Sequence, residues 1–288
     1  MRLRFRTILA LITAGLACRS AGATLAEAED LYRARRFPEA RTAFEAVASA
    51  EPSNASAAYH LGMLALMRSD PDAAVSWMEK AVAADSNSSK CARGLGDAYG
   101  LSAQKAGLFS KFGFAKKCLA AYQKAVALDP ASVDAHFSLY NYYRLAPSIA
   151  GGGIDKARAE AIEIQRRDPV RGGLALADLH IAGRKYDDAF RILKELSDKD
   201  PQNPMLLFQI GRFAAMTGQH IEEGESSLRS VLAHPPEGGS VAVWAVHWRL
   251  GQILEKRGQH DGARAEYEAG LKLNPTQPQL LEALKQVQ

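Results

Sequence analysis

Residues 59–85 read YHLGMLALMRSDPDAAVSWMEKAVAAD, and the order of small, bulky and helix-breaking residues in that stretch decides the fold. Leu61-Gly62 lies in an apolar run, Ala74 follows after a polar break at Arg68-Ser69-Asp70, and Met78 and Ala81 come within the next two turns. Residues three or four apart share one face of a helix, so this is a pair of apolar-faced helices joined by a short turn. The same marks recur up and down the chain at a spacing near 34 residues. Upstream stand Phe37-Pro38-Glu39-Ala40, Phe44 and Pro52; downstream stand Leu95-Gly96, then Tyr122, Ala125 and Asp129-Pro130. Further copies are Tyr186-Asp187-Asp188-Ala189 with Pro201, Ile210-Gly211, Leu250-Gly251, and Ala263 with Tyr267 and Asn274-Pro275.

A small residue at the glycine and at the later alanine lets two helices approach closely, with Gly62 and Ala74 as one such pair. The bulky residue four places after the alanine fills the gap toward the next hairpin. The closing proline cannot continue a helix and turns the residue before it away from helical geometry. Pro52, Pro130, Pro169, Pro201 and Pro275 therefore punctuate the units.

This pattern resembles the tetratricopeptide repeat family, whose unit is two antiparallel helices with small and bulky residues at fixed offsets. Seven units can be laid down, at 21–54, 55–88, 89–132, 133–171, 170–203, 204–237 and 244–277, followed by a last helix from Gln279 to Gln288. The resemblance implies an all-α, right-handed superhelical solenoid of about seven hairpins with a C-terminal capping helix. One hairpin cannot bury its apolar face alone, so the interior is built by stacking neighbours.

Composition is that of an ordinary globular chain, with 47% hydrophobic and 24% charged residues in 288,. Residues 1–23 read as an export signal: Arg2, Arg4 and Arg6, an apolar stretch from Ile8 to Ala17, and Ala21-Gly22-Ala23 for cleavage,. Residues 24–288 then form one solenoid, placed in the periplasm or secreted. Loss of Arg2, Arg4, Arg6 and Arg19 brings Lys plus Arg from 36 to 32, against 32 Asp plus Glu. The formal net charge falls from +4 to zero, which removes the overall electrostatic ground for nucleic acid or an anionic membrane as a partner,. Cys18 follows the apolar stretch where a lipoprotein is acylated, with Gly15 where Leu is usual; a membrane location is expected only if Cys18 is lipidated,.

In this family the first helix of each hairpin lines the concave face, and the resemblance implies a protein or peptide partner there. The aromatic positions are Tyr59, Phe137, Phe208 and Trp248, with Met63 beside them. Polar positions on the same face are Arg93, Asp97, Asn141 and Arg144, then Asp178, Arg212 and Gln252. Exposed aromatics and arginines anchor interfaces. The alternative is that the rings pack against the next helix and the charges are solvated. The Lys, Asn and Arg set with which some members capture a C-terminal carboxylate is not found, since Tyr59 and Met63 occupy its place in unit 2.

Two units break the period, both at the turn between their own helices: unit 3 near 102–117 and unit 4 near 146–153. Equivalent turns of adjacent hairpins share one rim, so these insertions should touch. The first carries Phe109, Phe112 and Phe114 interleaved with Lys111 and other lysines; the second ends in Gly151-Gly152-Gly153 at a helix start. Two readings stand open. Free glycine amides would bind an anion and make a small-ligand site, or the insertions form a structural clasp with the phenylalanines over the hairpin ends and Asp155 capping the helix.

No catalytic signature stands out. Seven histidines occur singly, without H-E-x-x-H, a Gly-x-x-x-x-Gly-Lys loop or a Gly-x-Ser-x-Gly elbow,. The expectation is a scaffold with no catalytic residues, cofactor or metal. Cys91 and Cys118 fall near opposite ends of one hairpin, which argues against a disulfide.

Overall fold

Polar side chains set the start of nearly every first helix. In the computed structural model, which describes residues 23–287, Thr24 and Glu27 form a reciprocal capping box at α1 (Leu25–Arg33),. Asn54, Ser88, Ser132, Asp168 and Asn203 each accept a backbone N–H three residues on,. These open α3 (Ala55–Met67), α5 (Ser89–Lys105), α7 (Val133–Leu145), α9 (Pro169–Ala182) and α11 (Pro204–Thr217). The second helices are α2 (Phe37–Ala50), α4 (Pro71–Ala84), α6 (Leu108–Leu128), α8 (Ile154–Arg167), α10 (Tyr186–Lys199) and α12 (Ile221–Ala233). The seventh hairpin pairs α13 (Val243–Lys256) with α14 (His260–Leu273), and α15 (Pro278–Gln286) closes the array. Among the described residues there is no strand. Seven stacked hairpins and a terminal helix form a helical repeat solenoid. The proposed export signal lies outside the described residues, apart from its final Ala23.

Packing at the repeated glycines corrects one expectation. A Cβ at Gly62 would strike Met78, one at Gly96 would strike Tyr122, and one at Gly251 would strike Tyr267. The glycine thus makes room for the bulky residue of the second helix, not for Ala74. Met78 also presses on Gly94 of the following hairpin, so one side chain fills the space between two units. Gly224 does meet Ala214 and Gly211 closely, so the small-on-small approach survives in hairpin 6. Phe44 stacks flat on His60 of the next hairpin, with ring centroids 4.8 Å apart.

The two insertions are of different kinds. Hairpin 3 is lengthened as helix: α5 has 17 residues and α6 has 21, where first and second helices elsewhere in the array have 9 to 14. Hairpin 4 is lengthened as loop, with a 3-10 turn at Ser148–Ala150 and left-handed Gly151.

Candidate functional site

The face of the first helices changes character along the array. In hairpins 2 and 3 it is closed on itself. Tyr59 is only 5% exposed, with the Lys90 ammonium 4.2 Å from its ring centroid and Arg93 Nη2 3.5 Å from its hydroxyl. Arg93 pairs with Asp97 at 3.2 Å, and Tyr122 donates to the same carboxylate at 2.7 Å. Burial pushes the Asp97 carboxyl above its ordinary range, opposed by Tyr122 and Arg93. Tyr59 is therefore core, not an exposed anchor; Met63 is half-buried against that core. In hairpins 4 and 5, half-buried Phe137 lies 4.1 Å under the guanidinium of Arg171, which pairs with Asp134. Exposed Arg144 lies 5.7 Å over the Tyr140 ring, and Asn141 is half-buried one turn earlier.

In hairpins 5 to 7 the face is left with an unmet donor. Asp178 binds Arg212, whose Nε donates to Gln209 at 2.6 Å. Phe208 is half-buried against the Leu250 cluster. The Arg249 guanidinium stacks 3.9 Å from the Trp248 ring centroid and donates through Nη1 to Gln252 at 2.8 Å. Its buried Nε has no partner. Burial, and then the charge of Arg212, push the Arg249 cation down to about 10. A guanidinium takes up its charge through five donors suited to carboxylate or phosphate, and here no acid answers them. Arg249 and Gln209 escaped the sequence reading. The available signal was that positions three and four residues either side of Arg249 hold Ala245, Val246, Gln252 and Ile253, none of them acidic.

The two insertions do meet. The Tyr142 hydroxyl sits 3.0 Å from the carbonyl of Ala115 and 2.6 Å from that of Ala150, bridging one insertion to the other. The glycine amides are all spent: Gly151 donates to Ser148, Gly152 to Pro147 at 3.2 Å and Gly153 to Tyr143 at 2.8 Å. A Cβ on Gly152 would collide with the carbonyl of Ala146, so only glycine fits there,. Of the two readings of the rim, the anion cradle is not supplied by Gly151–Gly153, whose three amides donate within the turn or back to α7. Asp155 does not cap α8, whose N-cap is Gly153 without a side-chain bond. The phenylalanines divide: Phe114 packs 6.4 Å from Tyr99, whereas Phe112 is 38% and Phe109 is 97% exposed. Phe109 covers nothing. Lys111 is exposed beside them.

Histidines serve as packing and pairing groups: His136 meets Glu160 at 2.6 Å and His247 meets Glu266 at 2.7 Å. Among the described residues no three His, Cys, Asp or Glu side chains are grouped to hold a metal. Cys91 and Cys118 are both free and buried. Burial pushes the Cys118 thiol up to about 12, away from the reactive thiolate,.

Comparison with known proteins agrees with the geometry. Models described as tetratricopeptide repeat match residues 25–89 and residues 244–287. No curated protein matches the sequence. A tetratricopeptide repeat protein of Parabacteroides merdae superposes with a TM-score of 0.66 at 16% identity, over 91% of this chain and 96% of that one. Yeast Tom70 gives 0.65 at 16% identity, over 88% of this chain and 51% of its own. A thermophilic repeat protein of Thermus thermophilus gives 0.53 at 22% identity, over 66% of this chain and 95% of that one. These likenesses concern the fold. Tetratricopeptide repeats thus mark both ends of the array, and the hairpins between them build the same kind of helical repeat solenoid.

Proposed function

We propose that this chain is an exported interaction scaffold, periplasmic or secreted, that grips an acidic segment of a partner protein along the first-helix face of hairpins 5 to 7. The observation that carries this reading is Arg249: a half-buried cation with an unmet donor, stacked on Trp248 and repelled by Arg212. A charge held in that state gains most when a partner carboxylate reaches it, because the penalty of burial is already met in the free protein. Trp248 and Phe208 supply area, while Gln209 and Gln252 hold the two guanidinium planes in place. The Tyr59, Arg93 and Asp97 cluster is internally satisfied and acts as a wall.

A photo-crosslinking residue at Gln252, and a control at exposed Glu268 on α14, would be expressed in the full chain. Adducts with an acidic protein at Gln252 alone, lost on Arg249→Met, are expected. Equal adducts at both positions would refute the groove assignment. Export rests on residues 1–23, and the mass of the mature N-terminus tests it: Thr24 is expected after plain cleavage, a diacylated Cys18 if the chain is a lipid-anchored assembly factor,.

A further inference from the structure

The tip of hairpin 3 offers a surface that the groove reading does not use. Tyr142 holds Ala115 of α6 level with Ala150 of the neighbouring turn. From that level α6 continues outward to Leu108, two more turns and roughly 10 Å of rise,. The hairpin therefore stands proud of the rim. Its outermost part carries Phe109 and Phe112, three residues apart and so on one face,. The adjoining turn and helix ends add Leu145 at 70%, Ile149 at 76% and Ile154 at 46% exposure. Large apolar side chains so open in one neighbourhood are costly in water, and such patches mark docking surfaces.

The charge near Phe109 and Phe112 is positive, with exposed Asp155 beside Ile154 as the acid at the edge of the patch. Between Asp97 and Asp129 the sequence contains Lys105, Lys111, Lys116, Lys117 and Lys124 and no acidic residue. Between Asp134 and Asp155 it contains Arg144 and again no acid. Lys105 reaches the carbonyl of Ser69, and Lys117 lies 5.2 Å from the Tyr99 ring. Lys111 and Lys116 are exposed, and neither pairs with an acid among the described residues. The mature chain is neutral as a whole, so this local excess is a property of the tip.

We propose that the tip of hairpin 3, with the adjoining turn of hairpin 4, docks on an anionic lipid surface. Phe109 and Phe112 enter the interface between headgroups and acyl chains, Ile149 and Leu145 follow at its edge, and Lys111 and Lys116 meet the phosphates. Convexity favours a membrane over a folded partner, since a projecting tip has no groove to receive a helix, whereas a fluid surface closes around it. Aromatic and aliphatic side chains flanked by lysines are the composition that interfacial binding requires. No described helix is long and apolar enough to cross a membrane, so the contact is peripheral. It would hold the array by one rim and leave the first-helix face open.

The test is co-sedimentation of the mature chain with vesicles of phosphatidylcholine alone and with phosphatidylglycerol making up roughly a third of the lipid. Binding to the anionic vesicles only, weakened by salt, is expected. Phe109→Ser with Phe112→Ser should weaken it about tenfold or more, and Lys111→Glu with Lys116→Glu should do the same, both with unchanged far-ultraviolet circular dichroism. Phe109→Trp should show blue-shifted emission on those vesicles and none with inorganic phosphate. Equal binding to neutral vesicles, no binding, or binding indifferent to both double variants overturns the proposal. So does the same spectral shift with phosphate alone, or capture of an acidic protein by the tip in the absence of vesicle binding.

Discussion

Arg249 and His60 show how single residues reveal what a packed helical face is for. A buried donor without a partner costs about 1–3 kcal/mol, and Arg249 Nε is one. Methionine keeps the stem that lies on Trp248 and removes the cation. Arg249→Met is therefore expected to raise the melting midpoint, by roughly 2–4 °C if about 1 kcal/mol is recovered, while abolishing crosslinks at Gln252. A lower midpoint would mean that the guanidinium is structural. His60 behaves oppositely. It stacks on Phe44, donates from Nδ1 to the Ser56 carbonyl at 2.8 Å, and is held below its ordinary range by burial first, with Lys90 adding to the effect and the Ser56 bond opposing it. A base whose folded pKa is depressed contributes stability above its unfolded value, near 6.5, and that stability is lost as pH falls through the folded value. The urea midpoint should thus drop between neutral pH and mildly acidic pH, and His60→Gln should flatten that part of the profile; an unaltered slope refutes the assignment.

At the scale of the element, the two insertions share one hydroxyl. Tyr142 reaches two carbonyls, of Ala115 and Ala150, that have no other side chain to serve them. Tyr142→Phe keeps the ring and removes the bond, at a cost of about 1–2 kcal/mol. The expected signature is faster proteolysis between Ala146 and Gly153 with the rest of the chain still protected. Uniform protection would show that the loop is held by packing alone, through Ala150 and through Gly151 against Leu119. Helix content in hairpin 3 extends the fold outward without disturbing its neighbours, because the added turns lie beyond the level at which hairpins pack.

Over the whole molecule, stability is a chain of nearest-neighbour terms. The buried clusters run from Ala28, Phe44 and Leu61 at one end to Tyr267 and Leu280 at the other, and partly buried Trp77 and Leu95 each touch two of them. Leu280 is fully buried and lies over Gly270, which has no Cβ to keep it out. Leu280→Ala is expected to cost roughly 2–4 kcal/mol and to lower amide protection in α13 and α14, with α1 to α4 nearly unchanged. Equal loss throughout would mean that the array unfolds as one cooperative body.

The sequence by itself determined the helical hairpins and their number. Small residues, bulky residues and prolines act through contacts within one unit or between adjacent units, and those distances are short along the chain. It also located both insertions and placed them side by side, since a shared rim follows from repetition alone. What only the tertiary structure decided is how each polar or aromatic group is met. Tyr59 and Trp248 occupy the same repeat position, yet one is sealed under Lys90 and Arg93 and the other carries an unanswered Arg249. Three glycines that the sequence leaves open between anion cradle and clasp spend their amides on their own turn and on α7, and three phenylalanines of one helix divide between core and solvent. Burial and partnership depend on atoms from units far apart in sequence, and a repeat pattern, identical at equivalent positions, carries no record of them.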